Sequence, residues 1–269
     1  MGILGIDQDK CIKCGNCVGE CRRFSKDEDQ DLIVFSDPDN SCSWCWHCVA
    51  VCPENAILYE NLGGEPEPFD QQIDENIRFS YESFHHVVKF HRSIRHYKKK
   101  PVPREMLEKI IDAMRYAPTG ANMRSENYVV LSNKERMHEL STKIMEELLK
   151  NPGMRASYEE NFARLRTMYE NPLFFDAPHV IFAYSSIDLP IEDTNIGICL
   201  TYGRLAAESL GLGTCWNGWS QIAFESNKKI RRLAGVRSGS HFGGFVVGFP
   251  DVSFERSAPR SKQRVKWIE

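Results

Sequence analysis

The stretch CIKCGNCVGEC, residues 11–21, is repeated as CSWCWHCVAVC at residues 42–52. In both copies four cysteines are separated by two, two and three residues. This spacing places the thiolates around one tight loop, where three can close on a cubic [4Fe-4S] cluster while the fourth points elsewhere. The repeat therefore predicts iron–sulfur ligation by eight cysteines: Cys11, Cys14, Cys17 and Cys21 in the first copy, and Cys42, Cys45, Cys48 and Cys52 in the second.

The repeated stretch resembles that of bacterial two-cluster ferredoxins, in which the fourth cysteine of each copy binds the other cluster. The resemblance implies one [4Fe-4S] cluster on Cys11, Cys14, Cys17 and Cys52, and a second on Cys42, Cys45, Cys48 and Cys21. Arg22 follows Cys21, whereas Pro53 follows Cys52. We expect this difference to change the exit turn and not the ligation.

Two other uses of the cysteines stay open at this point. Structural zinc typically takes two separated cysteine pairs, so a third cysteine at the same short spacing has no place in one tetrahedral site. Disulfides need an oxidising compartment, and residues 1–5 lack the basic start and long apolar run of a signal peptide. Both alternatives therefore fit the sequence less well than iron–sulfur clusters.

The chain of 269 residues is long enough for two unequal domains. Glycine, proline and acidic residues follow residue 60, which predicts a first domain over residues 1–64, a linker to about residue 80 and a second domain over 81–269. Residues 1–62 carry 5 Lys and Arg against 11 Asp and Glu, a net charge of −6, and the remainder carries +3. The acidic opening argues against nucleic acid as a partner. We expect a cytoplasmic protein without a membrane span.

In the second domain, helical and strand patterns are intermixed, which predicts an α+β or α/β class. Helical spacing begins at Tyr81 and again after Pro103, continues in two patterns within residues 133–175 and returns over Asn195–Leu210. Three apolar runs have the length of strands: Tyr128–Leu131, His179–Tyr184 and Gly244–Gly248.

Five segments, in this order, resemble the FMN-dependent nitroreductase family over residues 80–269: Arg92-Ser93-Ile94-Arg95, Ala117 through Asn122, Asp176-Ala177-Pro178, Gly211 through Trp216, and Gly248-Phe249-Pro250. The whole chain resembles the ferredoxin-fused nitroreductases of anaerobes. The resemblance implies an α+β fold with a mixed central sheet flanked by helices, preceded by a small α+β ferredoxin-like domain. It also implies an intertwined homodimer with FMN at the subunit interface.

The resemblance implies the FMN-binding residues. Arg92, Ser93 and Arg95 would bind the phosphate, for which paired guanidinium groups are suited; a solvated basic face is the alternative. A loop would reach the flavin ring, and a second segment would bring backbone N–H groups to flavin N5, where Gly218 permits close approach. The loop residues are Pro118, Thr119, Gly120 and Asn122, and the segment is Trp216, Asn217, Gly218 and Trp219. Arg260 would lie near the cofactor, with Arg256 as a competing candidate.

The sequence departs from the family pattern at two positions. His91 stands where the family often has arginine, so phosphate affinity could depend on pH, or His91 simply packs. Arg124 stands where relatives often have glutamine. Residues 151–170 correspond to a variable region that forms a substrate lid in related enzymes, which would bring Tyr158 or Tyr169 to the substrate; a packed helix face is the alternative.

The predicted function is reduction of a small planar electrophile such as a nitroaromatic, a quinone or an activated alkene. Electrons would come from reduced ferredoxin or a similar donor through the two clusters to FMN, and NAD(P)H is a further possible donor. Because flavin transfers hydride, no catalytic acid or base is assigned. The alternatives are a non-catalytic electron-transfer or redox-sensing flavoprotein, and a reductive dehalogenase-type member of the same superfamily.

Overall fold

The computed structural model describes residues 2–60, 66, 80–236 and 241–268. Its contacts divide the chain into two compact units. Unit 1 comprises Met1–Arg78 with the loop Thr119–Arg124, and unit 2 comprises Phe79–Pro118 and Ser125–Glu269. The predicted linker falls mostly outside the described residues, so its bounds stay a prediction.

Unit 1 consists of short strands and short helices around the two cysteine stretches. Its elements are β1 (Ile3–Ile6), α1 (Asn16–Glu20), β2 (Phe24–Asp27), β3 (Leu32–Phe35), α2 (His47–Ala50) and β4 (Ile57–Tyr59). Strand β1 pairs antiparallel with β4, and β2 pairs antiparallel with β3. Each half of the repeat therefore contributes one strand to each pair, and the two halves close on each other.

The repeat in unit 1 extends to the backbone conformation. Lys13 and Gly15 have φ of 58° and 77°, and Trp44 and Trp46, at the equivalent positions of the second stretch, have φ of 50° and 66°. This left-handed conformation is free of steric cost for glycine but costs a residue with a side chain roughly 1 kcal/mol. The second loop keeps the shape of the first with tryptophan in place of glycine, and the Trp46 ring packs edge-on against Tyr59 at 5.6 Å.

Unit 2 contains one sheet with helices on both of its faces. Its elements are α3 (Tyr81–Phe90), α4 (Arg104–Arg115), β5 (Glu126–Leu131), α5 (Lys134–Leu148), α6 (Arg155–Met168), β6 (His179–Ser185), α7 (Ile191–Ser209), β7 (Gly213–Trp216), α8 (Gly218–Ser226), α9 (Lys228–Leu233) and β8 (His241–Gly248). The strand order is β5-β6-β8-β7, and each neighbouring pair is antiparallel. No described helix combines the length and apolarity that crossing a membrane demands.

The central strands β6 and β8 are buried on both faces, which explains their nearly continuous apolar sequences. Along β6, Val180 and Phe182 face one core, while Ile181 and Ala183 face the other. The first core is completed by α5, α6 and α8, and the second by α4 and α7. The alternation follows from the period of two along a strand.

The predicted strands at residues 128–131, 179–184 and 244–248 are confirmed as parts of β5, β6 and β8, and the predicted helices are confirmed with shifted ends. Helix α7, for example, begins at Ile191 and not at Asn195. Strand β7 was missed because Gly211 lies just before it and Gly213 is its first residue. The predicted mixed sheet needs correction: among the described residues of unit 2, the four strands pair antiparallel, and the one parallel pairing is a bridge between Ser93 and Thr214.

Candidate functional site

The first cysteine set comes together in unit 1. Cys11, Cys14, Cys17 and Cys52 line one cavity, with apolar walls that include Ile33 and Ile57. Burial raises the pKa of the Cys17 thiol, and the nearby Cys11 and Cys52 add to this shift. The fourth cysteine of the second stretch therefore lies with the first three of the first stretch.

The second set has the reciprocal composition. Burial raises the pKa of the Cys48 thiol to about 11, and the nearby Cys21, Cys45 and Cys42 add to this shift. Since metal binding requires thiolates, these protons would leave when a cluster binds. Within the described residues, no three His, Cys, Asp or Glu side chains could hold a single metal ion. A [4Fe-4S] cluster does not require such a set, because its four cysteines bind four different irons.

Hydrogen bonds fix the loops that carry these thiols. Asp37 accepts from the backbone N–H groups of Ser41 and Cys42 at 3.0 Å, and Arg23 donates to its carboxylate at 2.7 Å. The Ala56 N–H donates to Cys52 Sγ at 3.2 Å. Hydrogen bonds to cysteine sulfur are one of the ways in which a protein tunes the potential of an iron–sulfur cluster.

In unit 2, the segment Arg92–Arg95 lies along the free edge of β7. The Ile94 N–H donates to the Thr214 carbonyl at 2.9 Å, and Ser93 forms a parallel bridge with Thr214. The two arginines have different neighbours: the Arg92 guanidinium lies 5.7 Å from the ring centroid of Phe254, and that of Arg95 lies 5.7 Å from the ring of Phe175. The segment is therefore fixed by the sheet edge and by aromatic contacts.

The segment Trp216–Trp219 connects β7 to α8. The Asn217 side chain is buried and committed to the fold, since it donates to the Leu173 carbonyl at 2.6 Å and caps α8 by accepting from the Ser220 N–H at 2.9 Å. Its backbone N–H donates to Gly244. These bonds leave the N–H groups of Gly218 and Trp219, in the first turn of α8, as the donors without a partner inside the helix.

Gly218 faces open space. A Cβ built at this position meets no atom within 4 Å, so the protein itself does not require glycine there. Trp219 is the next residue, and its ring packs against those of Phe162 and Phe175, with ring centroids 5.9 Å and 6.3 Å apart. A pair of helix N-terminal amides on half-buried residues beside free space is suited to an electron-rich edge of a planar ligand.

Phe175 joins the two segments. Its ring lies under the Arg95 guanidinium, contacts Trp219 and contacts Tyr169 edge-on at 5.6 Å. Phe175 and the following Asp176 adopt left-handed φ of 53° and 54°. A strained pair of this kind persists where the surroundings fix it, which is common at binding sites. The sequence pointed to Asp176 within a family segment but gave no sign of Phe175.

The predicted lid residues divide between two roles. Tyr158 is buried in the core and stacks on Phe162 with ring centroids 5.6 Å apart, so the packed-face alternative describes it. Tyr169 is half-buried next to Phe175. Arg260 and its competitor Arg256 lie exposed in the irregular chain that follows β8.

The loop that was predicted to contact the flavin ring is shared between the two units. Pro118 belongs to unit 2, while Thr119, Gly120 and Asn122 belong to unit 1. Asn122 Nδ2 donates to the Trp44 carbonyl at 2.6 Å, and Asn122 Oδ1 accepts from Arg124 Nε at 3.2 Å. Both ends of the amide therefore have protein partners. Arg124 orders this loop as well, since its N–H donates to Thr119 Oγ1 at 3.2 Å.

A polar network at His91 was missed by sequence reasoning. His91 Nδ1 lies 3.1 Å from Glu208 Oε2, and His91 Nε2 lies 2.9 Å from Arg204 Nη2. Arg204 Nε also donates to Thr214 Oγ1 at 3.3 Å. The available signal was the spacing of Arg204 and Glu208 on α7, because residues four apart share one face of a helix.

The known proteins that resemble this chain agree with the fold of unit 2. The model of the nitroreductase family matches residues 88–249, and the chain belongs to this family. The structure of a nitroreductase with bound FMN from Desulfitobacterium hafniense superposes with a TM-score of 0.58 at 24% identity, over 68% of this chain and 97% of that chain. The predicted nitroreductase-like α+β fold is thereby confirmed.

Curated relatives are similar to parts of the chain. Iodotyrosine deiodinase from Nematostella vectensis is 24% identical over 169 residues, which are 58% of this chain and 64% of that protein. The chain spans only 43% and 41% of the deiodinases from Danio rerio and Rattus norvegicus. Ferredoxin-3 from Nostoc sp. is 32% identical over 75 residues, which are 21% of this chain and 76% of the ferredoxin.

Proposed function

We propose that this protein is an FMN-dependent oxidoreductase that reduces a small planar electrophile with electrons received through two [4Fe-4S] clusters. The observation that carries the flavin half is the convergence of two distant segments on Phe175: Arg95 lies over its ring, and Trp219 packs against it. A cationic segment and a pair of helix N-terminal amides are what a phosphorylated, electron-accepting ring needs.

The residues of unit 2 fit FMN by their chemistry. Arg92, Ser93 and Arg95 would bind the phosphate, and the open space at Gly218 would admit the ring to the first-turn N–H groups of α8. When bound, FMN supplies hydride chemistry, and the clusters supply single electrons. The N–H groups of Gly218 and Trp219 would stabilise negative charge on the ring by donating to it. The aromatic cluster around Phe175 would keep water from one side of the site.

The residues of unit 1 fit two [4Fe-4S] clusters. The cavity shared by Cys11, Cys14, Cys17 and Cys52 and the reciprocal neighbourhood of Cys48 support the crossed ligand sets. The likeness to Ferredoxin-3 over 75 residues supports the same assignment. Reduced ferredoxin or a similar protein is the proposed donor, NAD(P)H the alternative donor, and a homodimer the proposed assembly.

The proposal is tested first by cofactor content. Full-length protein purified without oxygen should contain about eight irons, about eight sulfides and one FMN per chain, since each cubic cluster holds four of each atom. Fewer than about four irons would contradict the cluster assignment, and a purified chain that cannot be loaded with FMN would contradict the flavin assignment.

Site variants separate the two halves. Arg92→Ala should lose FMN and keep its iron, because Arg92 lies in unit 2 and is proposed to bind phosphate. Arg104→Ala removes the same charge from the exposed start of α4 and should keep both cofactors. Loss of iron from Arg92→Ala would show that the two cofactor sites depend on each other.

Turnover distinguishes the reaction classes. With chemically reduced ferredoxin, the holoprotein should reduce nitroaromatic, quinone or activated-alkene acceptors. A fully loaded protein that reduces none of them but passes electrons to a partner protein would favour an electron-transfer role. Halide release from halogenated phenols would favour the dehalogenase-type alternative. The observation that supports this alternative is the similarity to iodotyrosine deiodinase.

A further inference from the structure

Arg204 on α7 connects the residue that precedes the proposed phosphate-binding segment with the strand against which that segment lies. Its Nε donates to Thr214 Oγ1 on β7 at 3.3 Å, and its Nη2 donates to His91 Nε2 at 2.9 Å. His91 immediately precedes Arg92, and Thr214 is the residue to which Ile94 and Ser93 are bound. One planar guanidinium group therefore contacts both the residue just before Arg92 and the strand residue to which Ser93 and Ile94 are bound.

The hydrogen bonds define which ring nitrogen of His91 accepts and which one donates. Guanidinium groups only donate, so Nε2 of His91 must accept, and the proton of the neutral ring lies on Nδ1. That N–H donates to Glu208 Oε2 at 3.1 Å. The ring is held from both sides in one orientation, as a histidine is when a carboxylate fixes its tautomer. Arg204 thus donates to Thr214 on one side and to His91 on the other, and His91 passes the chain of hydrogen bonds on to Glu208.

The charge of Arg204 is also close to the segment. Burial lowers the pKa of its guanidinium, although arginine stays charged. Across the described residues, no carboxylate lies within ion-pair distance of this group, since Glu208 is separated from it by the His91 ring. A half-buried cation without a direct carboxylate partner adds positive potential to the site, where Arg92 and Arg95 already lie.

We infer that Arg204 is the positioning residue of the phosphate site: through His91 and Thr214 it holds the segment Arg92–Arg95 in the geometry that selects FMN over riboflavin. The inference rests on the proposed function, since it concerns the same flavin site. Riboflavin has the same ring without the phosphate, so a residue that acts on the phosphate segment must change the affinity for FMN and leave that for riboflavin almost unchanged.

The test uses the full-length chain from which flavin has been removed. The dissociation constants of FMN and riboflavin are measured by the quenching of flavin fluorescence in the wild type and in Arg204→Met, which keeps the length of the side chain without donors or charge. We expect the FMN constant to rise about tenfold, the size of a lost charge-assisted hydrogen bond, and the riboflavin constant to change less than about twofold.

Three further variants control the result. Arg104→Met removes a charge at an exposed position of α4 and should leave both constants unchanged. Arg204→Lys keeps the charge but cannot contact His91 and Thr214 with one rigid fork, so it should recover only part of the preference for FMN. Glu208→Gln keeps an acceptor for His91 with a weaker bond and should cause a smaller loss of the same kind.

The outcomes are distinct. A wild type that prefers FMN, with an Arg204→Met variant that retains the full preference, would overturn the inference and leave the proposed function intact. An equal loss of both flavins would assign Arg204 a purely structural role and also overturn it. A wild type that binds neither flavin would overturn the proposed function and the inference together. If Arg204→Met does not fold, Glu208→Gln carries the test, and an unchanged preference in that variant decides against the inference.

Discussion

Units 1 and 2 are stabilised by different means. Among the described residues of unit 1, the hydrophobic core cluster contains seven buried residues, two of which are the cysteines Cys17 and Cys48. Unit 2 buries large apolar side chains on both faces of its sheet, among them Phe162, Phe174, Phe182, Phe224 and Phe245. A unit as small as unit 1 cannot bury enough apolar surface for high stability. The proposed clusters would therefore be part of its core, whereas the core of unit 2 is formed by apolar side chains.

The difference extends to the polar groups. In unit 1, the loops around the thiols are ordered by the Arg23–Asp37 ion pair and by backbone N–H groups that donate to the Asp37 carboxylate and to Cys52 Sγ. In unit 2, buried polar side chains cap helices or connect segments, as Asn217 does for α8. Loss of one cysteine ligand should therefore disrupt unit 1 as a whole. Removal of a buried apolar side chain should lower the stability of unit 2 in proportion to the volume removed.

The largest effect is expected from Cys48→Ser. The hydroxyl is a poor iron ligand, so the iron content should fall from about eight to about four per chain or less. Because cofactor binding energy is also folding energy, unit 1 should lose much of its stability. Iron and sulfide analysis with visible absorption checks the first point, and flavin content should stay at the wild-type level.

Cys199→Ser is the matched control. Cys199 is buried on α7, where its sulfur lies 3.6 Å from the Tyr128 hydroxyl, and it belongs to neither cysteine stretch. Its replacement should leave the iron content unchanged. If Cys48→Ser removed flavin as well as iron, the two units would not be independent in the way the comparison describes.

Phe224→Ala tests the packing of unit 2. Phe224 is 1% exposed, and its ring lies 5.2 Å from that of Phe182 and 5.7 Å from that of Phe242. The cavity should lower the free energy of unfolding of unit 2 by about 3–5 kcal/mol, while the visible absorption of the clusters stays unchanged at low temperature. Chemical denaturation followed by near-UV circular dichroism measures the change. Tyr116→Ala, at a position that is 69% exposed, should have little effect.

The features that the sequence predicted are those determined locally. The eight candidate cysteine ligands follow from spacings of two or three residues, and the strands β6 and β8 follow from continuous apolar runs; the crossed cysteine sets are what the resemblance to ferredoxins implies. The features that it missed depend on distant contacts. Arg204 meets His91 across 113 positions, and Phe175 joins Arg95 to Trp219 only in the folded unit. The assignment of Asn217 to the cofactor stays a prediction, and the capping of α8 by its side chain is revealed only by the position of that helix.

Gly244→Ala probes the same core at a single backbone position. A Cβ on Gly244 in β8 would meet Phe182 Cδ1 at 2.5 Å and the Ile181 carbonyl oxygen at 2.9 Å. The backbone atom cannot move aside cheaply, so unit 2 should lose about 1–3 kcal/mol. Thermal unfolding measures the loss.

Gly197→Ala gives the opposite expectation in the same unit. A Cβ on Gly197 in α7 would meet no atom within 4 Å, and alanine is favoured over glycine in a helix by roughly 0.5–1 kcal/mol. This variant should be slightly more stable than the wild type. If both glycine variants changed stability in the same direction, the close approach at Gly244 would not be the cause.

The smallest expected effect concerns the pH dependence of unit 2. His179 is 7% exposed; its Nε2 accepts from the Val102 N–H at 3.1 Å, and its Nδ1 lies 2.7 Å from Ser132 Oγ. Burial lowers the pKa of His179 below its usual value. Below about pH 6.5 the imidazole therefore binds a proton more readily in the unfolded chain than in the folded chain. The contribution of His179 to the stability is fully present above that pH and is lost as the pH decreases.

His179→Gln keeps an acceptor for Val102 but does not titrate. The free energy of unfolding of unit 2, measured by urea denaturation from pH 5 to pH 7, should therefore change less with pH in the variant than in the wild type. The difference in slope should stay below about 1.4 kcal/mol per pH unit, the limit for a single proton. Identical slopes would mean that groups other than His179 cause the loss of stability of unit 2 in acid. The difference in pH dependence between the two units would then come only from the thiols of unit 1, which must lose protons to bind iron.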